Sequence, residues 1–303
     1  MDGVLVVAKP AGPTSHDVVA LIRRLSATRR VGHGGTLDPF AAGVLPVFLG
    51  VATRLVEYHG ADRKAYRATV CFGASSTTDD LDGELTPVDA APDRATVEIA
   101  LARLRGDIVQ RPPAFSAVIV GGRRAYALAR AGQRPALPER RVTVHRLDLV
   151  AWDDADPARP IAVLEVECAA GTYVRALARD LGVATGGGAY LGALLRTASG
   201  PFRMSEAIDL DEIRAAAGSG PDGLRRLLRP PETGLDALER IVVSDAERRD
   251  LVEGRFILRP SVSGTADGGA LLVADGNGAL VGVARRVGER LAPDKILVAR
   301  DPA

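Results

Sequence analysis

Asp38 sits in a loop whose composition excludes most of the chemistry a loop carboxylate commonly serves. The segment Val31–Gly43 (VGHGGTLDPFAAG) carries four glycines and a proline in thirteen residues, which would break any regular element. His33 shares this loop, so metal-assisted hydrolysis is the first reading to weigh. The four histidines (His16, His33, His59 and His145) form no HExxH or paired His/Cys arrangement, and a metal site is disfavoured. The glycines could cradle a phosphate, but no Gly-Lys-Ser/Thr follows them and no GxGxxG opens a helix. What remains is a carboxylate near a histidine, with arginines elsewhere able to pair with it. Taken singly, each has a plainer explanation. Asp-Pro is a common turn initiator, and an isolated histidine is more often a hydrogen-bonded structural residue.

The chain that must position these residues has 303 of them, room for about two domains. With 47% hydrophobic and 25% charged residues it has the composition of a globular protein with a sizeable core. Lys plus Arg number 39 against 38 Asp plus Glu, so the total charge gives no sign of a polyanionic partner. Locally the charge is segregated. Ser75 to Glu98 holds seven acids and one arginine, whereas Arg103 to Arg146 holds ten arginines against Asp107 and Glu139. The basic stretch predicts contacts to a nucleic-acid backbone, and the acidic run Asp79 to Glu84 is expected to lie away from phosphates unless Asp82 is held there for a specific polar contact. Cys71 and Cys168 are too few and too distant for a zinc site or a disulfide framework, which fits a reducing cytoplasm. The longest apolar run, Ala41 to Ala52, is interrupted by Gly43, Pro46 and Gly50, and a spanning helix needs about 20 residues. Secretion and membrane insertion are not expected.

Periodicity assigns the local elements. Gly3–Ala8 is a Val-rich run ending at Lys9-Pro10, as a buried strand entering a loop would be. Thr14 followed by Asp17 forms a helix start, and Val18, Leu21, Ile22 and Leu25 supply one apolar face. Strands are predicted at Val44–Leu49, Tyr66–Phe72, Phe115–Val120, Val142–Ala151 and Ile161–Cys168, and helices at Ala52–Tyr58, Thr96–Leu104, Arg123–Arg130 and Val174–Leu181. Pro, Gly and Arg cluster over Pro221–Thr233, the expected linker, and Asp275-Gly276-Asn277-Gly278 marks a hairpin in a small β-rich module.

Taken together, several motifs carry more than any one of them. Lys9-Pro10-Ala11-Gly12-Pro13-Thr14-Ser15, Gly32-His33-Gly34-Gly35-Thr36-Leu37-Asp38-Pro39, Lys64-Ala65-Tyr66-Arg67, Gly171-Thr172-Tyr173-Val174-Arg175 and Leu194-Leu195-Arg196-Thr197 occur in that order. In order and spacing they resemble the bacterial tRNA pseudouridine-55 synthase (TruB) family. Asp80-Leu81-Asp82-Gly83, Leu104-Arg105-Gly106-Asp107 and Gly121-Gly122-Arg123-Arg124-Ala125-Tyr126 extend the match, which covers roughly residues 3 to 203. Three departures stand out: Ala8, Ala42 and Leu195 replace, respectively, an Asp or Asn, a Thr and the first Arg of Leu-Arg-Arg.

The resemblance implies an α+β fold, a mixed, largely antiparallel sheet crossed by helices, with a catalytic domain over 1–230 and a small PUA-like domain over 234–303. It implies isomerisation of a T-loop uridine of tRNA to pseudouridine, without cofactor or metal, by a cytoplasmic, monomeric enzyme that engages the T-arm and no membrane. Asp38 matches the catalytic aspartate; whether it adds to C1′, adds to the base or stabilises charge at the sugar stays open. Arg175 matches the arginine that keeps this aspartate ionised and oriented. Tyr66 matches the tyrosine that stacks on the target base and accepts a proton. Tyr173 and Leu194 match pocket residues, and His33 a histidine that contacts RNA where nucleotides are extruded. Two other readings share these residues: a tRNA-remodelling chaperone indifferent to Asp38, and an enzyme acting on ribosomal RNA.

Overall fold

The computed structural model describes residues 1–60, 63–116, 118–133, 137–260, 262 and 264–299. The chain opens with β1 (Gly3–Lys9), α1 (Ser15–Leu25), β2 (Val31–His33) and β3 (Ala42–Leu49), then a 3-10 helix (Gly50–His59) and β4 (Lys64–Phe72). A short hairpin, β5 (Ala74–Ser76) with β6 (Leu85–Pro87), precedes α2 (Arg94–Arg103) and β7 (Gly106–Gln110). A second, β8 (Ile119–Val120) with β9 (Arg123–Arg124), leads into α3 (Ala125–Arg130), β10 (Arg140–Asp153) and β11 (Ile161–Cys168). After α4 (Val174–Ala184) come β12 (Ala189–Ser199), β13 (Phe202–Arg203), α5 (Leu210–Gly218) and α6 (Pro221–Arg225).

Nine of these strands make one sheet, in the order β1-β3-β12-β4-β11-β10-β7, with β2 added to β3 and β13 to β12. Within this sheet, among the described residues, only β3 and β12 run parallel, through Leu195↔Ala42 and Arg196↔Gly43. The fold is therefore α+β with a mixed, largely antiparallel sheet. Gly43 is required at the parallel contact: its φ is +117°, and a Cβ there would stand 2.2 Å from the Arg196 carbonyl oxygen.

Period-two burial selects the faces. On β11, Ala162, Leu164, Val166 and Cys168 are buried and face α2 and α4, which contribute Val97, Leu101, Leu177 and Leu181. β1 is buried on both faces: Leu5 and Val7 pack under α1 and α5, while Val4 and Val6 pack with Phe48 and Phe202. Each fully buried Val or Leu contributes about 1.5–3 kcal/mol relative to its exposed state. The start of α1 is a reciprocal capping box, with Asp17 N–H donating to Thr14 Oγ1 at 3.0 Å and Thr14 N–H to Asp17 Oδ2 at 2.9 Å.

Three stretches differ from the sequence reading. Arg123 and Arg124 are paired with Val120 and Ile119 instead of opening a helix, because Gly121 (φ +56°) and Gly122 (φ +78°) form the tight turn that joins two strands. Strand pairing in the expected Phe115–Val120 strand covers Ile119–Val120, with Ala117 outside the described residues. The stretch expected as a linker is sewn into the first sheet's core. Leu224 is fully buried there, and Val4 and Arg229 exchange backbone hydrogen bonds at 2.9 Å.

A separate sheet follows, built from β14 (Arg240–Val242), β15 (Ile257–Leu258), β16 (Ala270–Ala274), β17 (Leu280–Val287) and β18 (Arg290–Ile296), with α7 (Asp245–Val252) beside it. Its β16–β17 turn is the predicted one, held by Asp275 Oδ1, which accepts from Asn277 N–H and Ala279 N–H at 2.9 Å. Leu55 and Tyr58 of the 3-10 helix pack against Leu235, Leu272 and Val283, and Tyr58 Oη donates to Asp294 at 2.9 Å. No helix among the described residues is long and apolar enough to cross a membrane.

Candidate active site

The loop bearing Asp38 crosses from β2 to β3, and its backbone polar groups are satisfied by buried side chains. Lys9, at the end of β1 and 1% exposed, donates through Nζ to the carbonyls of Pro10 (2.8 Å), Pro39 (3.2 Å) and Ala41 (2.6 Å). Ser15 brackets Leu37, accepting from its N–H at 2.8 Å and donating to its carbonyl at 3.0 Å. Arg196, also 1% exposed, donates to Gly35 O (3.1 Å), Thr36 O (3.4 Å) and Val44 O (2.7 Å). Val44 lies between the β3 residues that pair with β12 and those that pair with β2, so the guanidinium serves a carbonyl at the break in pairing. Burial lowers the Lys9 pKa from 10.5 to about 8; Asp38 opposes that shift and Arg196 adds to it.

Within this frame Asp38 keeps a side chain one-third exposed. Arg175, in the first turn of α4, places Nη2 3.1 Å from Asp38 Oδ1 as a hydrogen-bond donor. Its Nε lies 2.9 Å from Oδ2, in an ion-pair contact with the N–H aimed off that line. The same guanidinium donates to Phe115 O (2.8 Å) and Thr78 O (3.1 Å) and lies 3.3 Å from Asp80 Oδ2. Arg175 is thus buried between two carboxylates instead of lying on a solvated helix face. Burial raises the Asp80 pKa, while Thr78, whose hydroxyl it accepts from, and Arg175 pull it down. The loop before α4 is fixed by Gln110, fully buried at the end of β7. Its Nε2 donates to Tyr173 O at 3.1 Å, and its Oε1 accepts from Tyr173 N–H at 2.8 Å.

These groups surround a cavity of about 1100 Å³ whose wall includes Asp38, Tyr66, Tyr173, Arg175, Leu194 and Arg196. Tyr66 is half-buried on β4 and stands opposite Arg196 on β12, whose guanidinium faces its hydroxyl. Burial pushes the Tyr66 phenol pKa up, and that contact opposes the rise. Arg140 lies over the Tyr173 ring at 4.5 Å. Leu194 is buried in the main core at the cavity wall. His33 is placed apart. It sits on β2 with Nδ1 accepting from Gly35 N–H at 3.3 Å, and His16 is the nearby histidine that lines the cavity. Burial and Arg196 lower the His33 pKa.

Five of the six expected site residues therefore meet at one cavity. From the acidic stretch, Asp80, Asp82 and Glu84 also line that cavity. In the basic stretch, Arg105, Arg111 and Arg146 are paired with Asp148, Glu139 and Glu165, while Arg123, Arg124 and Arg141 are exposed. Arg134 lies outside the described residues. Sequence reasoning missed Arg196, Asp80 and Gln110. Arg196 and Asp80 stand inside the ordered motifs, but nothing in their spacing distinguishes buried charges from surface ones. Among the described residues no three His, Cys, Asp or Glu side chains are grouped to hold a metal ion.

A family model described as "TruB family pseudouridylate synthase (N terminal domain)" matches residues 23–174, and one described as "tRNA pseudouridylate synthase B C-terminal domain" matches 175–236. The chain belongs to the TruB family. Among TruB-family relatives, the tRNA pseudouridine synthase B of Symbiobacterium thermophilum is 46% identical over 84% of this chain and 82% of its own length. That of Parasynechococcus marenigrum is 44% identical over 94% of this chain and 93% of its own. A solved structure described as "Crystal Structure of a Cbf5-Nop10-Gar1 Complex" superposes with a TM-score of 0.76 at 25% identity, covering 99% of this chain and 86% of that one. That structural likeness runs through the second sheet, which neither family model reaches, and that sheet is PUA-like.

Proposed function

We propose that this protein isomerises a uridine in the T-loop of tRNA, at position 55, to pseudouridine, with Asp38 as the catalytic carboxylate and no cofactor. The observation that carries this reading is the partly exposed Asp38 held by buried Arg175 at a cavity that also contains Tyr66, in a chain of this family. In the reaction the N1–C1′ bond breaks, the uracil turns, C1′ joins C5, the C5 proton leaves and N1 gains one. Atoms and electrons balance without redox chemistry. A carboxylate meets the positive charge that develops at the sugar when N1 departs. Arg175 fixes its orientation through Nη2 and sets a guanidinium against the carboxylate. The target base must leave its stack to reach Asp38, at a cost of a few kcal/mol, and Tyr66 offers it an aromatic face. The Tyr66 oxygen, facing Arg196, relays the C5 proton, taking it up as its own hydroxyl proton passes on to solvent. Tyr173 and Leu194 wall the uracil, and His33 meets RNA outside the cavity wall.

In this reading residues 1–230 form the catalytic unit and 234–303 the accessory module of a monomeric, cytoplasmic enzyme. The test is Asp38→Asn assayed on an unmodified T-arm stem-loop with pseudouridine mapped at single-nucleotide resolution. The variant is expected to bind the RNA with wild-type affinity and to form no product. Retained turnover, or wild-type product at another position, overturns the assignment.

A further inference from the structure

Arg179 stands one turn beyond Arg175 on α4, and the two arginines repeat one pattern. Arg175 pairs with Asp80 and donates to Phe115 O. Arg179 pairs with Asp79 (Nη1 to Oδ2, 2.8 Å) and donates through Nη2 to Arg111 O at 2.8 Å. Its Nε is held by Asp180 Oδ1 at 2.9 Å. The acids are consecutive, and the two carbonyls are four residues apart, as are the two arginines, so that α4 grips one loop and one strand exit at matched spacing. The pairs differ in their relation to the cavity. Arg175 and Asp80 line it, and Arg179, Asp79 and Arg111 do not.

The backbone at Asp79 supplies an independent observation. Its φ is +63°, a left-handed conformation that costs a non-glycine residue about 1–2 kcal/mol. The conformation is locked by hydrogen bonds from Leu191 N–H to Asp79 O (3.0 Å) and from Asp79 N–H to Ser76 O (3.2 Å). Glycine would adopt it at no steric cost, yet the position carries a carboxylate whose side chain is only 13% exposed. Burial raises the Asp79 pKa, and both Arg179 and Arg175 lower it, so the carboxylate is coupled to the two arginines together.

We propose that Asp79 and Arg179 are positioning residues for the isomerisation: a second rung, outside the cavity, that fixes Asp80 and the 111–115 segment so that Arg175 is aimed at Asp38. This rests on the catalytic reading above. Arg175 shares its Nη2 between Phe115 O and Asp38 Oδ1, so a shift of that carbonyl redirects the donor that orients the carboxylate. Small displacements of this kind reduce catalysis steeply while leaving binding surfaces in place.

The decisive variant is Asp79→Gly, which removes the carboxylate and relieves the left-handed strain at once, so that stability does not fall with activity. Single-turnover pseudouridine formation at saturating tRNA is expected to drop about 10- to 100-fold, the scale of a misplaced catalytic group, with tRNA affinity and melting temperature unchanged. Arg179→Lys, which keeps the charge facing Asp79, is expected to lose less than Arg179→Gln. Combining Asp79→Gly with Arg179→Gln should add little to the larger single loss. Wild-type rate in Asp79→Gly, or a rate loss matched by weaker binding and lower stability, overturns the second rung. Wild-type protein and Asp38→Asn run beside it keep the readings apart, since inactivity of the wild type or activity of Asp38→Asn would instead defeat the catalytic assignment.

Discussion

Two cationic regions of this molecule use the same side chains in opposite ways. Around Asp38, Lys9, Arg175 and Arg196 are at most 4% exposed, and their donors end on loop carbonyls and two carboxylates. Along Arg103–Arg146, Arg105, Arg111 and Arg146 lie on the surface and meet surface carboxylates, while Arg123 and Arg141 are exposed. A charge withdrawn from water is retained only where partners replace its hydration, so the buried set is held to fixed partners and, in the proposed reaction, serves the chemistry. An exposed charge keeps its water, is screened by salt, and acts on association with a polyanion. Ten arginines in the linear count therefore overstate the free positive charge of that stretch, and three buried cations scattered through the chain do more for the site.

The comparison breaks first, and with the largest effect, at Arg196. Arg196→Met would leave the buried carbonyl of Val44 and the part-buried carbonyl of Gly35 without their donor. A stranded buried group costs about 1–3 kcal/mol, so urea unfolding should show a loss of that order. Single-turnover activity under conditions where the variant is still folded should fall as well. A variant with wild-type stability would mean that the interior cations are as dispensable as the surface ones.

Lys9 sharpens the comparison through pH. Its folded pKa near 8 lies below the ordinary 10.5, so between those values the unfolded chain holds a proton that the native chain has released. Stability contributed by this group therefore rises from about pH 8 to about pH 10.5. Activity should move the other way. Above about pH 8 the neutral amine has two N–H groups for three carbonyls and no longer places a positive charge near Asp38. Opposite slopes of stability and rate across that window, both absent in Lys9→Met, are the expected result from denaturation and pH–rate curves. Parallel slopes would remove Lys9 from the group that acts on the site.

The contrast also marks what is legible in the sequence. Strands whose burial alternates, such as Ile161–Cys168, and the capped start of α1 at Thr14 can be read directly, because period and cap are local. Asp38, Tyr66, Tyr173, Arg175 and Leu194 come from ordered motifs, and they share one cavity. What cannot be read depends on long-range register. Arg196 is buried because β12 meets β3 in parallel beside the Asp38 loop, and Asp80 because α4 brings an arginine across to it. The expected linker fails for the same reason, since Arg229 looks like a surface residue until Val4 is seen to pair with it.

The smallest effect tests the surface set alone, by comparing Arg123→Gln with Arg111→Gln. Arg123 lies exposed on the β8–β9 hairpin, whereas the Arg111 guanidinium is 3.0 Å from Glu139. Removing a phosphate-binding guanidinium at Arg123 should reduce the slope of log affinity against log salt by about 0.7–0.9, the value for one released counterion. Arg111 already has a carboxylate at hand, so its removal exposes Glu139 and lowers affinity at low salt with less change in slope. An exposed pair of this kind contributes at most about 1 kcal/mol to stability, and neither variant should shift the melting temperature appreciably. Binding isotherms on a T-arm stem-loop across a salt series separate the two. Equal slope changes would show that RNA displaces Glu139 from Arg111, and the local ion pairing would then not limit how much of the basic stretch the substrate can use.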